Sequence, residues 1–133
     1  RRAEQPLEDR IDLLLLVATA NRETAIIEEL VERGADVDAL YEGSTPLGMA
    51  SRRGALATAR TLLQLGADPN RADSGGWTPL LLAVREGHHE MVAQLLESGA
   101  VTSATTPSGE TVLELAERLG RDRIFELLQT VRR

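Results

Sequence analysis

The chain of 133 residues contains no lysine and no cysteine, and all fifteen of its basic side chains are arginine. Without lysine there is no Schiff-base chemistry and no Walker-type phosphate loop, which needs that ammonium on its phosphates. Without cysteine there are no disulfides, thiol nucleophiles or cysteine–zinc sites. The two histidines, His88 and His89, are too few for a multi-histidine metal site. Aromatic residues make up 2% of the chain (Tyr41, Trp77 and Phe125). The core therefore falls to 22 leucines and 17 alanines, both strong helix formers. The longest apolar run, Leu13–Ala18, is far short of the roughly 20 residues of a membrane span. No membrane insertion is expected, and no feature calls for a cofactor or a metal.

What is present is a globular balance of 42% hydrophobic and 27% charged residues, with a net charge of −6. That charge argues against nucleic acid as a partner. It is unevenly spread: residues 45–85 carry five arginines and two acids, whereas residues 1–33 and 86–133 each carry five arginines and eight acids. A basic centre lies between acidic ends. No signal segment is seen, which points to a cytoplasmic location. The chain does not open on Met, and it begins and ends on arginine pairs, which suggests a piece of a longer polypeptide.

A period organises the rest. Thr45-Pro46-Leu47 recurs 33 residues later as Thr78-Pro79-Leu80 and again, degraded, as Thr111-Val112-Leu113. Ala50, Ala83 and Ala116 keep this spacing, as do Gly54, Gly87 and Gly120. Gly34, Gly66 and Gly99 form a second glycine series, spaced by 32 and then 33. Extended back by 32, the register aligns Leu15, Ala18 and Leu30 with Leu47, Ala50 and Leu62. With "TPL..A...G" followed by "LL..GAD.N", the chain resembles the ankyrin repeat family over about residues 11–131. The fullest copy is Gly76–Ala100, which includes the Gly87-His88 pair.

The residues support the same reading on physical grounds. Pro46 and Pro79 suit a first helical turn, where the missing N–H costs nothing. Thr45 and Thr78 suit the N-cap before it. The glycines after each apolar stripe let the chain reverse. Each unit is then a helix pair plus an extended finger, and one unit cannot bury its apolar face alone. The predicted fold is an all-α ankyrin-repeat solenoid of stacked helix-turn-helix pairs linked by β-turn fingers. It forms one domain over residues 1–133, with repeats at about 11–39, 40–72, 73–105 and 106–131. The end copies are degenerate. Leu13-Leu14 replaces Thr-Pro in the first, and Arg22 stands where later copies have Gly, so Asn21 is expected to take the left-handed conformation. Gly48, Leu81 and Glu114 replace the family's histidine, so that side chain's hydrogen bonds are expected to be missing. His88 matches a buttressing position between the helices, and no catalytic constellation is found.

The resemblance implies a partner docked on the concave face, formed by fingertips and the exposed ends of the first helices. The matching positions are Tyr41, Glu42, Ser44, Arg52 and Arg53, then Ser74, Trp77, Arg85 and Glu86, then Glu110 and Arg118. Arg52, Arg85 and Arg118 share one repeat position and would stack as a ladder able to fork onto carboxylates or phosphates. The competing reading is ordinary surface arginine near helix C-termini, in a chain that uses no lysine. The expected function is a protein–protein interaction module or scaffold, not an enzyme, whose partner is another protein, one carrying an acidic patch if the arginine ladder binds it. Two alternatives are a regulatory or targeting domain of a larger enzyme or channel, and a sensor of small anions or phospho-ligands. The chain is expected to be monomeric, with Pro6-Leu7 folded back over the Leu13–Val17 run; a weak dimer through Leu13/Leu14 is the alternative.

Overall fold

The computed structural model describes residues 7–131, with side chains from Arg10 onward. Among these residues are eight helices and no strand: α1 (Leu7–Ala20), α2 (Thr24–Glu32), α3 (Pro46–Arg53), α4 (Leu56–Gln64), α5 (Pro79–Glu86), α6 (His89–Glu97), α7 (Val112–Arg118) and α8 (Asp122–Thr130). They form four antiparallel pairs. The first helices stack in the order α1, α3, α5, α7, and the second helices stack in the order α2, α4, α6, α8. Buried Leu15, Leu47, Leu80, Ile27, Leu62, Leu95 and Leu128 belong to one continuous apolar cluster running through the stack.

The threonine–proline starts behave as their chemistry requires. The Gly48 N–H donates to Thr45 Oγ1 (2.9 Å) and the Leu81 N–H to Thr78 Oγ1 (3.2 Å), each ahead of a proline in the first turn. The fourth pair has no proline but carries a full capping box. The Glu114 N–H donates to Thr111 Oγ1 (3.1 Å), and the Thr111 N–H donates to Glu114 Oε1 (3.0 Å). Glu114 thus restores one side-chain bond at a position where the missing histidine predicted none. The first pair has neither device at the corresponding register position. With Leu13-Leu14 in place of a cap and a proline, nothing stops the helix there, and α1 runs back to Leu7 for 14 residues. Leu7 is therefore helical, contrary to the expected fold-back turn; Pro6 lies outside the described residues.

The helix ends follow the repeat register. The carbonyls of Ala18, Ala50, Ala83 and Ala116 accept from the N–H groups of Glu23, Ala55, His88 and Arg121. This is the wide-loop bond of a Schellman ending, which needs a left-handed residue inside the loop. Gly54, Gly87 and Gly120 supply it at φ +69°, +81° and +71°. In the first pair Arg22 itself takes φ +59°, not Asn21 as expected. Residue 22 is the register equivalent of the glycines, so the fold imposes the conformation on whichever side chain stands there.

This position gives a paired prediction. Arg22→Gly relieves a left-handed non-glycine residue and should stabilise the protein by about 1 kcal/mol. Gly54→Ala should destabilise it by more than that, because its Cβ would lie 2.7 Å from His88 Nδ1. Urea midpoints of the two variants should move in opposite directions.

Candidate functional site

The fingers and the last turns of α3, α5 and α7 carry the expected site residues. In the first finger, Tyr41 and Ser44 exchange backbone bonds (2.9 and 3.1 Å) across Glu42 and Gly43. Both central residues have positive φ, +50° and +85°, the requirement of a type I′ hairpin turn. Glu42 is thereby pushed outward and exposed, while Tyr41 and Ser44 are half-buried.

The second finger is held by one carboxylate. Asp73 Oδ1 accepts from the N–H groups of Gly75 (2.9 Å) and Trp77 (3.0 Å), and the Asp73 N–H donates to the Trp77 carbonyl (3.0 Å). This is an Asx-type turn. Ser74 joins it to the first finger, because its N–H reaches the Gly43 carbonyl at 3.1 Å. A Cβ on Gly43 would stand 2.8 Å from Ser74 Oγ, so glycine there serves both the turn and the close approach of the two fingers. In the third finger, Thr106 Oγ1 accepts from the Glu110 N–H (3.0 Å).

The arginines at the shared repeat position are all in a last helical turn, where a cation faces the negative end of the dipole. Their guanidinium groups are nevertheless in three different states. Arg118 forks onto Glu110, with Nε–Oε2 at 2.6 Å and Nη2–Oε1 at 2.9 Å. Arg85 lies over Trp77, its guanidinium carbon 4.6 Å from the ring centroid, and touches Glu86 at 3.0 Å. Arg52 has no hydrogen-bond or ion-pair partner for its guanidinium among the described residues. The three sites therefore run from neutralised, through stacked, to open. Trp77 is half-buried against the core while also carrying Arg85; it is part support and part surface.

Backbone carbonyls at the ends of the first helices bind neighbouring repeats. His88 Nε2 lies 3.0 Å from the Arg52 carbonyl, so that ring nitrogen carries the proton. Arg121 Nη2 donates to the Arg85 carbonyl at 2.6 Å. Arg53 Nη1 donates to the Ala20 carbonyl at 3.4 Å. Ala20, Arg52 and Arg85 are register equivalents, and so are His88 and Arg121; Ala55 occupies that position in the second pair and cannot donate from its side chain. Arg53 makes the bond in its place. Of the expected binding residues, Arg53 is thus at least partly structural. Arg121, which the sequence did not mark out, does for the last pair what His88 does for the pair before it.

The Arg118 hydrogen bond holds the Glu110 carboxyl below the usual glutamate range; desolvation opposes it, and the Arg118 charge adds a smaller downward effect. The sign for stability follows. A depressed carboxylate pKa contributes stability at neutral pH, and that contribution is lost as pH falls through the folded-state value. Titration of Glu110 followed by NMR should show this depression, and Arg118→Ala should return the carboxyl to the ordinary range.

Residues 49–96 match the family model described as ankyrin repeats (many copies). No curated protein matches the chain significantly.

Proposed function

We propose, for a chain that belongs to the ankyrin-repeat family, that it binds a partner protein across the fingertips and the first-helix ends of its second and third repeats. Ankyrin repeats are generally protein–protein interaction modules. The finer reading assigns the recognition surface to Arg52, Arg85, Trp77, Tyr41, Glu42 and Ser44, with Arg118 held in reserve by Glu110. The observation that carries it is the contrast among the three equivalent arginines. Arg52 presents an unpaired fork, and Arg85 presents a guanidinium held over the Trp77 ring and by Glu86. A planar, pre-oriented guanidinium loses less freedom when it meets a carboxylate than a mobile one does. Hot spots are enriched in tryptophan, tyrosine and arginine, and four such side chains, Tyr41, Arg52, Trp77 and Arg85, stand on adjacent repeats here. The partner's complementary surface would carry acidic side chains spaced to meet successive repeats.

The test is capture from the native organism by the wild-type chain and by an Arg52→Glu/Arg85→Glu variant. The expected outcome is at least roughly a tenfold loss of captured partner, with a melting temperature within a few degrees of wild type. Equal capture by both proteins removes these arginines from the interface.

A further inference from the structure

The two ends of the stack have opposite chemistry. At the first end, three large apolar side chains are exposed: Leu14 at 54%, Val17 at 47% and Ile26 at 45%. All three occupy repeat positions that face the preceding pair elsewhere in the chain. The equivalents of Leu14 are Pro46, Pro79 and Val112, all buried. Those of Val17 are Met49, half-buried, and Leu82 and Leu115, both buried. Those of Ile26 are Thr58, Met91 and Ile124, all buried. The direction is fixed by Gly48, where a Cβ would lie 3.4 Å from Leu82 Cδ1 of the next pair. An open groove of about 710 Å³ runs along this end between α1 and α2, with Leu14, Ile26 and Leu30 in its wall.

At the other end the forward-facing positions have changed character. Glu114 and Glu117 stand where the third repeat has Leu81 and Val84, and Gln129 stands where it has Leu96. All three are exposed, whereas Leu81 and Val84 are fully buried. A polar outer face is how a solenoid ends. Among the described residues the last pair has one, whereas the first pair exposes Leu14, Val17 and Ile26 there, with Arg10, Glu29 and Arg33 also lining its groove.

From this asymmetry we infer that the α1–α2 face is a stacking surface for a further ankyrin-type helix pair, one with aliphatic residues at the positions of Leu81 and Val84. The face continues the register of the three interfaces already formed between α1 and α3, α3 and α5, and α5 and α7. Its occupant is therefore a forward repeat face and not an arbitrary apolar surface. The chain's own last pair does not qualify, because Glu114 and Glu117 would be pressed against Leu14 and Val17 without partners. Head-to-tail stacking of copies is excluded on that ground. This surface is separate from the arginine–tryptophan surface, so the two proposals stand or fall independently.

The test joins a second copy of residues 73–105 ahead of the full chain through a flexible linker, which keeps it at high local concentration. A docked copy should add helical circular dichroism and raise the melting temperature by at least roughly 5 °C. Substituting L81E and V84E in the added copy alone should abolish both gains. A Leu14→Glu/Ile26→Glu variant of the recipient face should abolish them too, while melting within a few degrees of wild type when nothing is joined to it. The inference is overturned if the added copy gives no gain, or if the gain survives either set of substitutions. It is also overturned if the unextended chain sediments as a stable dimer that Leu14→Glu dissociates, which would give the face to a second copy.

Discussion

Everything in this structure depends on the stacking of one helix pair on the next. A pair of helices of eight and nine residues, such as α3 and α4, is too short to be stable in water on its own. Its apolar stripe is also too narrow to enclose a core. Burial is completed only by neighbours: Leu81 of α5 is fully buried, whereas Glu114 at the same position of the last pair is exposed. The backbone and side-chain features of each repeat serve that contact. Ala18, Ala50, Ala83 and Ala116 are all buried and keep the first helices close. The left-handed glycines leave room for the next repeat's donor, with Arg121 lying 3.1 Å from where a Gly87 Cβ would be.

Polar bonds add direction to stacking that apolar burial alone would leave free to slide. The carbonyls of Ala20, Arg52 and Arg85 are each bound from the following pair. On the opposite side, the linkers are joined in the same way. The Asp68 N–H donates to Asp38 Oδ1 at 2.9 Å, and the Val101 N–H donates to Asn70 Oδ1 at 2.8 Å. Residues 38 and 70 are register equivalents, as are 68 and 101. Each bond is worth only about 1 kcal/mol, but together they fix the angle between repeats. That angle places Ser74 on the Gly43 carbonyl and sets the fingers side by side, so the candidate binding surface is a consequence of the stack.

Much of this was legible in the sequence because the signals are periodic. Threonine, proline and glycine at a 33-residue spacing name the caps, the starts and the reversals, and the structure shows all three. The departures came where a signal was missing or non-local. The run-back of α1 to Leu7 has no positive signature; it follows from the absence of a stop at Leu13-Leu14. The left-handed Arg22 reflects the register overruling a residue preference that favoured Asn21. The Thr111–Glu114 capping box was readable as T-x-x-E but was hidden behind the family's histidine position. At the site, the residues' positions were readable but the states of their guanidinium groups were not. Glu110 and Arg118 are eight residues apart on a finger and a helix, and only the folded loop brings them together. Which of three equivalent arginines is open is therefore a property of the fold.

The central claim is that the repeats share one stability through their interfaces and that the first pair lacks one of those interfaces. Native-state hydrogen exchange on the full chain measures this directly. The account predicts the greatest protection in the two middle pairs, α3 to α6, which have a neighbour on each side, and clearly lower protection in α1 and α2, with protection throughout falling together when a central interface residue such as Leu81 is replaced by Glu. Equal protection in all four pairs, or a Leu81→Glu effect confined to α5 and α6, would contradict it.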